Sequence, residues 1–381
     1  MALVRYEPTP GSVSAPGTDG ALGSLTGYCR NSENYAPASE TPLERLSGTF
    51  ELRAKLRPHS ADERIAKCGR VVHTDPCVVT EETADGERTA RWTGICLCNR
   101  AGCPVCGAAK AHRFHDDVLR ALSMGGTWQH IILTVPHGPE DAWSAVYERL
   151  LDGLRSLSKE RTGRLVMAEV KASIRATETT YSVRHGWHVH FHVLWKVGRA
   201  LLPEEQAIVA REWAESTGAS VEWGCRFGMT IHADEEAQRR MGAAYVTKIA
   251  SEMSGTAKGA HGEHWTLGEL FRRAADGEWI DRYQEYQTAT KGRRLYQLDR
   301  RAAQLRDAAA ELPKPTIVNT WVTMVERRDF SKLARAERRD PMAIYLPLEV
   351  AAKSRGDPTD VVDEHIWYYL EASTGPPPDT S

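Results

Sequence analysis

The chain has 381 residues, of which 41% are hydrophobic, and its formal net charge is −2. This length allows two or three domains, or one core domain with appendages, and it supports a substantial hydrophobic core. A net charge near zero excludes a strongly basic protein that binds nucleic acid over its whole surface. No apolar run approaches the roughly 20 residues that cross a bilayer, and the N-terminus lacks the layout of a signal peptide. We therefore expect a cytoplasmic protein with no membrane partner.

Both ends of the chain are predicted to be disordered. Residues 1–45 are rich in Gly, Ser, Pro and Thr without any periodicity, and residues 372–381 have a similar composition. Such segments cannot bury enough apolar surface to offset the entropy that is lost on ordering them.

Cysteines concentrated near residue 100 predict a zinc site. Eight cysteines in a chain expected to be cytoplasmic favour metal binding over disulfides. Cys103 and Cys106 form a CPxC pair, whose spacing presents two thiolates to Zn²⁺. These two are the first choice as ligands, and Cys98 and Cys68 are the second. Cys77 is also available, as is the thiol at position 96, so the sequence leaves the full set of four open.

The residues that follow predict alternating helices and strands. We expect helices over 108–123, 141–157, 203–217 and 234–253, and strands over 128–135, 165–176, 187–196 and 221–232. The strands at 165–176 and 187–196 are separated by a polar stretch alone, which favours a hairpin. This order predicts an α+β fold in which helices cover an antiparallel sheet. A further strand over 316–325 and a charged helix over 327–339 are predicted downstream.

The most informative motif places histidines at alternate positions of an apolar strand. Because side chains of a strand point to opposite faces in turn, His188, His190 and His192 share one face, within reach of a single divalent ion. Glu169, in the predicted partner strand, lies among apolar residues and could reach the same ion. Nitrogen and oxygen ligands together favour Mg²⁺ or Mn²⁺ over a structural Zn²⁺. Either His188 or Glu169 could be the third protein ligand.

A tyrosine on the predicted helix 234–253 is the candidate nucleophile. Tyr245 and Lys248 are three residues apart and share a helix face. An ammonium group beside a phenol favours the phenolate, which attacks phosphorus more readily. Small residues at positions 242–244 leave room for a substrate backbone. Taken alone, the pattern also fits an ordinary core tyrosine.

A locally basic stretch is the candidate DNA contact. It begins with Lys291, Arg293 and Arg294 and continues to Arg306. Arginine suits bidentate contacts to phosphate, so this stretch could hold a nucleic-acid backbone.

Three of these motifs, in this order, resemble those of the rolling-circle replication initiators of small bacterial plasmids, which belong to the HUH endonuclease superfamily. Ile132-Leu-Thr-Val-Pro136 is similar to the first family motif, a strand that ends in Leu-Thr-Val-Pro. Gly186-Trp-His-Val-His-Phe-His-Val-Leu194 is similar to the metal-binding HUH motif, and Ala244-Tyr-Val-Thr-Lys248 to the motif of the catalytic tyrosine. The CPxC pair and residues 289–294 are similar to the branch found on actinobacterial plasmids. The resemblance covers about residues 65–300.

The resemblance implies a fold, an activity and partners. The core would be an HUH endonuclease sheet of the ferredoxin or RRM type, with a Cys-rich zinc-binding module upstream. The enzyme would nick one strand of the plasmid double-strand origin, with DNA single-stranded at the cut. Tyr245 would form a 5′-phosphotyrosyl link and leave a 3′-OH primer, assisted by Lys248 and by Mg²⁺ or Mn²⁺. Host helicase and polymerase would be further partners.

The same resemblance implies boundaries for the domains. We expect a zinc-binding module over residues 60–110, an HUH nickase core over 111–255, and an accessory, DNA-contacting region over 264–371.

One departure from the family pattern concerns the end of replication. Some relatives have a glutamate four residues before the tyrosine, where this chain has Met241. Glu235 or Glu236 could replace it.

Other functions remain as alternatives. A conjugative relaxase is disfavoured because relaxases place the nucleophile ahead of the histidines, whereas Tyr245 follows them. A single-strand transposase of the same superfamily would share the metal and the tyrosine. A zinc-stabilised DNA-binding regulator without catalysis would explain the cysteines but not the histidine strand.

Overall fold

Two units make up the protein in this computed structural model, which describes residues 42–159, 166–246, 264–312 and 314–372. In residues 42–46, 244–246 and 370–372, only the backbone is described. The cysteine unit comprises the described residues within 1–99, 103–109 and 314–381, and the sheet unit those within 100–102 and 110–313. Antiparallel sheets flanked by helices confirm the predicted α+β class.

The sheet unit is built on a six-stranded sheet. Its strands are β3 (Thr127–Thr134), β4 (Ala172–Ser182), β5 (Gly186–Val197), β6 (Cys225–His232), β7 (His264–Thr266) and β8 (Tyr296–Leu298). The order is β6-β3-β5-β4-β7, and β8 also pairs with β4. All of these pairs are antiparallel. The predicted hairpin is therefore confirmed as β4 and β5, in the middle of the sheet.

Pairing in the hairpin begins later in β4 than we expected from the sequence. We predicted the strand over 165–176, but β4 spans Ala172–Ser182. The extra residues include Thr177, Glu178 and Thr179, all of which are buried. The sequence suggested a polar connector there, yet β-branched threonine suits a strand, and the sheet buries these polar side chains as partners of β5. Gly186, at the start of β5, has a φ of +71° that suits the turn.

Of the seven helices described in the sheet unit, the first four begin close to where they were predicted, and the last three were not expected. The seven helices are α3 (Pro104–Ser123), α4 (Trp143–Lys159), α5 (Pro203–Thr217), α6 (Glu236–Val246), α7 (Leu267–Ala275), α8 (Ile280–Thr290) and α9 (Arg300–Ala308); α3 begins in the cysteine unit. Helix α4 packs on the sheet face that carries Phe191, where the rings of Tyr147 and Phe191 lie 5.6 Å apart. On the same face, the ring of Tyr286 from α8 lies 6.2 Å from that of Trp187. The opposite face, on which the histidines lie, is called the histidine face below.

The cysteine unit combines segments that precede most of the sheet unit in the sequence with segments that follow it. Its helices are α1 (Pro42–Leu56), α2 (Glu63–Ala66), α10 (Arg327–Ala336), α11 (Leu346–Lys353) and α12 (Thr359–Ala372), with a 3₁₀ turn at Arg57–His59. Its strands β1 (Val72–Thr83), β2 (Arg88–Ile95) and β9 (Ile317–Met324) form an antiparallel sheet in the order β2-β1-β9. Trp92 of β2 donates to the carbonyl of Ile344 over 2.8 Å, which ties the sheet to the later helices.

The sequence prediction missed several of these elements. Strands β1 and β2 were not expected, and helix α1 begins at Pro42, inside the segment that we predicted to be disordered. The rest of that segment, the tail from 373, and the end of the predicted helix 234–253 lie outside the described residues. Residues 264–312 belong to the sheet unit, whereas 314–372 belong to the cysteine unit. No helix in the described ranges is long and apolar enough to cross a membrane.

Candidate functional site

The candidate metal centre lies where β4 and β5 pair. The register places Glu178 directly opposite His190, and His192 lies two residues further along β5 on the same face. Nε2 of His192 is 2.6 Å from Oε2 of Glu178. Nε2 of His190 is 3.1 Å from the same oxygen and 3.2 Å from Nε2 of His192. Three ligand atoms therefore converge at one buried point.

The spacing of these three atoms fits a divalent cation. Metal–ligand distances of about 2.1 Å place neighbouring ligands of an octahedral ion roughly 3.0 Å apart. The observed separations lie close to that value, and Glu178, His190 and His192 together form a group that could hold a metal. Burial alone would raise the pKa of Glu178, but His190 and His192 outweigh it and hold the pKa well below its ordinary value. The carboxylate is therefore ionised, as a metal ligand must be.

His130 of β3 lies behind the candidate metal centre and contacts His192. Nε2 of His130 lies 3.1 Å from Nδ1 of His192. Burial, together with the positive charge that His192 can carry, lowers the pKa of His130 to about 3. His130 is therefore neutral at physiological pH. A histidine that presents Nε2 to a cation keeps its proton on Nδ1, so His192 would donate to His130 and be held in that orientation.

One predicted ligand was wrong, and another lies beside the centre. Glu169 is exposed in a turn before β4 begins, so it does not reach the histidines. Glu178 lies beside the histidines instead, where we had expected the carboxylate of Glu169. His188 shares the histidine face, but it is not part of the converging group, and its Nδ1 lies 3.4 Å from Nε2 of His137. Burial, followed by the charges of His190 and His137, lowers the pKa of His188 to about 3.

Helix α6 packs on the histidine face. A Cβ on Gly242 would lie 2.5 Å from Cδ1 of Ile231, so the helix backbone approaches β6 closely. Ile231 is paired with Trp128, and Trp128 with Lys196 of β5. Because directly paired residues share a face, and Lys196 lies an even number of residues from His192, Ile231 is on the histidine face.

The predicted nucleophile belongs to this helix. The backbone of Tyr245 is part of α6, which ends at Val246. The side chain of Tyr245 and the whole of Lys248 lie outside the described residues. The side chain of Met241, on the same helix, is exposed.

A pocket opens on the histidine face beside the candidate metal centre. Its volume is about 580 Å³. His188 links it to the centre, since His188 lies two residues before His190 in β5. The lining combines apolar groups, hydroxyls and imidazoles, among them Thr134, Pro136, His137, His188, Trp223 and His264.

The four cysteines that we preferred as zinc ligands come together in the cysteine unit. Cys68, Cys98, Cys103 and Cys106 are all buried and form a group that could hold a metal. The sulfur of Cys68 lies 3.6 Å from that of Cys106 and 3.8 Å from that of Cys103. Tetrahedral Zn–S bonds of about 2.3 Å place sulfurs roughly 3.8 Å apart, so the observed spacing fits zinc.

Proton sharing within this group also suits a cation. Hydrogen bonds among the thiols lower the pKa of Cys68 and of Cys106 and raise the pKa of Cys98 and of Cys103. A divalent cation supplies the charge that lets all four act as thiolates.

The cysteines outside the group have other surroundings. The thiol of Cys77 lies 2.7 Å from the hydroxyl of Thr93. Cys96 is partly exposed, and Cys225 is buried in the sheet unit, where burial raises its pKa to about 12. Cys29 lies outside the described residues.

Two of the predicted basic residues, Arg293 and Arg294, line a groove of the sheet unit. Lys291 is exposed just after α8. Arg293 forms an ion pair with Glu148, and its guanidinium lies 5.0 Å from the ring centre of Tyr147. The groove has a volume of about 580 Å³, and its cationic lining residues are Arg155, Lys159, Arg175, Arg293 and Arg294. This arrangement could hold a phosphate backbone.

Comparison with known proteins finds a distant relative of this chain. The chain is similar to a curated protein of Streptomyces lividans named "Protein rep". The two are 28% identical, and the match covers 38% of this chain and 39% of the relative's length. The chain thus matches well under half of that relative. No protein-family model and no solved structure matches the sequence.

Proposed function

We propose that this chain is a plasmid replication initiator that nicks one strand of origin DNA by a metal-assisted tyrosine mechanism of the HUH type. The observation that carries the proposal is the convergence of Glu178, His190 and His192 on one face of the sheet. The similarity to a Streptomyces protein named "Protein rep" supports a role in replication. The packing of α6 on the same face supports Tyr245 as the nucleophile.

Each residue of the site would have a defined task. Glu178, His190 and His192 would hold Mg²⁺ or Mn²⁺, which supplies Lewis-acid charge to the scissile phosphodiester when bound. The phenolate oxygen of Tyr245 would form a bond to phosphorus while the bond from phosphorus to the 3′ oxygen breaks. The departing oxygen takes up a proton and becomes the free 3′-OH. Lys248 would stabilise negative charge on the phenolate or the phosphate.

The covalent product explains why a tyrosine would be used instead of water. The phosphotyrosyl bond keeps the energy of the phosphodiester, so the same site could later rejoin strands. Simple hydrolysis would lose that energy.

Two further assignments belong to this proposal. Cys68, Cys98, Cys103 and Cys106 would bind a structural Zn²⁺ that stabilises the cysteine unit. The groove lined by Arg293 and Arg294, with Lys291 nearby, would contact the DNA backbone.

Replacement of the nucleophile tests the proposal. Incubation of a supercoiled plasmid that carries the origin with protein and Mn²⁺ should give nicked circles and a covalent protein–DNA adduct. Tyr245→Phe should abolish both products, because a phenyl ring has no oxygen to attack phosphorus, while single-strand binding is retained. Denaturing gels measure the adduct, and band shifts measure the binding.

A matched tyrosine provides the control. Tyr368 is 65% exposed in the cysteine unit, and Tyr368→Phe should leave nicking unchanged. An adduct that persists in Tyr245→Phe would show that another residue is the nucleophile. If the parent protein binds origin DNA but never nicks it, the alternative of a zinc-stabilised regulator would be favoured.

A further inference from the structure

An exposed tryptophan lies on a hydrogen-bonded turn beside the candidate metal centre. The side chain of Trp223 is 59% exposed and lines the pocket on the histidine face. The hydroxyl of Thr134 donates to the carbonyl of Trp223 over 3.1 Å. The next residue, Gly224, donates from its N–H to the carbonyl of Ser220 over 2.7 Å, and its carbonyl accepts from the N–H of Thr134 over 2.8 Å. The ring is therefore presented by a turn that is held on both sides.

Strand register relates this turn to the metal centre. Thr134 is paired directly with His190 across β3 and β5, and the hydroxyl of Thr134 contacts Trp223. Directly paired residues lie about 5 Å apart. One residue of β3 therefore separates the turn from a ligand of the proposed cation.

An arginine accompanies the tryptophan on the same face. Arg226 of β6 is paired with Ile132, and Ile132 with His192, so Arg226 points to the histidine face. It is exposed, and its guanidinium carbon lies 5.8 Å from the ring centre of Trp223. A flat aromatic surface and a cation thus lie side by side next to the metal centre.

These two groups match the two parts of a nucleotide. Bases of single-stranded DNA stack on exposed aromatic rings, and the phosphates bind to neighbouring cations. Hydroxyls of Thr180 and Ser220 in the pocket could donate to or accept from the edge of a base. We infer that Trp223 and Arg226 form a subsite for a nucleotide that flanks the scissile phosphate, with Trp223 stacking on the base and Arg226 contacting the phosphate. This inference rests on the proposed function.

Binding of a simple single strand tests the subsite. The probe is a fluorescein-labelled (dT)20 strand, and its anisotropy is measured with full-length protein. Trp223→Ala should weaken binding by roughly 5- to 150-fold, which corresponds to the loss of one stacked base. Trp223→Phe should restore most of the affinity, since it keeps an aromatic face. Trp367→Ala is the matched control, because Trp367 is 57% exposed in the cysteine unit, and it should bind like the parent.

Salt dependence tests the arginine separately. Arg226→Gln should reduce the slope of log affinity against log salt by about 0.7, the value expected for one phosphate contact on a single strand, and Arg226→Lys should keep the parent slope. A (dT)20 strand with 5-iodouracil at its centre should crosslink under ultraviolet light to the peptide that contains Trp223, as identified by mass spectrometry.

The outcomes separate this inference from the proposed function. Trp223→Ala with parent affinity for (dT)20 and parent nicking would overturn the subsite and leave the nuclease intact. Weakened binding in a protein that never nicks DNA would support the subsite and overturn the nuclease. Sedimentation could also show that the parent protein self-associates and that Trp223→Ala does not. If that variant keeps the parent affinity for (dT)20, this face would be assigned to contact with a second copy of the chain, and the subsite would be overturned.

Discussion

The choice between two glutamates shows what decides chemistry at the scale of a residue. Glu169 and Glu178 both precede the histidine strand, and both could have been the carboxylate ligand. Glu169 lies among apolar residues, which suggested a strand, but it is exposed in a turn. Glu178 lies in a polar run, yet pairing places it opposite His190. A shift of pairing by one residue would have turned Glu178 to the other face of the sheet.

The first prediction concerns this carboxylate. Glu178→Gln should weaken Mn²⁺ binding by roughly 100-fold. Loss of an outer-shell partner costs about 10- to 100-fold in metal affinity, and loss of a charged ligand is expected at the upper end of that range. Isothermal titration calorimetry measures the affinity, and nicking of supercoiled plasmid at limiting Mn²⁺ measures its consequence.

Glu169→Gln is the matched control for this change. The side chain of Glu169 is exposed, and its substitution should leave both Mn²⁺ affinity and nicking unchanged. A reversed result, in which Glu169→Gln loses the metal and Glu178→Gln keeps it, would contradict the site described above.

At the scale of elements, one buried carboxylate connects helices that are far apart in sequence. Glu337 lies at the end of α10. Its Oε1 is 3.3 Å from Nη2 of Arg53 in α1, and its Oε2 is 3.0 Å from Nε of Arg57 in the 3₁₀ turn. Arg70, before β1, lies 2.7 Å from it. The carboxylate is fully buried, and three guanidinium groups surround it. Burial would raise the pKa of Glu337, but the three arginines outweigh it and lower the pKa.

The second prediction concerns this cluster. Glu337→Gln should lower the free energy of unfolding by about 3–5 kcal/mol at pH 7, because it leaves buried guanidinium groups without an anion. Urea unfolding followed by circular dichroism measures the change. Glu349→Gln removes the i,i+4 ion pair with Lys353 at the protein surface and should cost less than about 1 kcal/mol.

The effect of Glu337 depends on pH in a defined direction. The folded-state pKa is lowered, so the carboxylate contributes its full stabilisation above the unfolded-state pKa of about 4.3. This contribution is lost as the pH falls through the lowered folded-state value. The difference between parent and Glu337→Gln should therefore be constant above about pH 5 and should shrink below pH ~4. A difference that grows on acidification would contradict the assignment.

At the scale of the whole molecule, the cysteine unit is assembled from distant parts of the chain. Strand β9 pairs with β1, although more than two hundred residues of sequence separate them. Trp92 of β2 and Phe330 of α10 pack edge to face at 5.2 Å within the same core. The cysteine group lies among the buried residues of this core. A cation at that group would therefore stabilise segments from both parts of the sequence.

The third prediction follows from this arrangement. Cys68→Ser should remove bound zinc, measured by plasma mass spectrometry, and should lower the thermal unfolding temperature of the full-length protein. The physical reason is that the binding energy of a structural zinc site contributes directly to folding. Chelation of the parent protein should have the same effect.

Cys96→Ser provides the control for the zinc site. Cys96 is partly exposed and is not part of the buried group, so this variant should keep the metal and the unfolding temperature. Retention of zinc by Cys68→Ser, or its loss from Cys96→Ser, would contradict the ligand set.

Much of the site was predictable because it depends on short-range pattern. Alternation of histidine and apolar residues predicts which faces of β5 they occupy, and the spacing of Cys103 and Cys106 predicts a pair of thiolates. Helix α5 was predicted with correct bounds because a proline at its first turn marks where it begins. Strands β1 and β2 were missed because they alternate weakly and their pairing partner, β9, is remote in sequence.

The sequence by itself determined the α+β class, the shared face of His190 and His192, and the pair Cys103 and Cys106 as candidate ligands of a cation. Each of these follows from the order of the predicted elements, from the period of one strand or from the spacing of nearby residues. Only the tertiary structure decided that Glu178 joins the histidines, that Trp223 and Arg226 lie beside them, and that Glu337 meets three arginines. These contacts depend on strand register and on packing between distant segments, which no local pattern encodes.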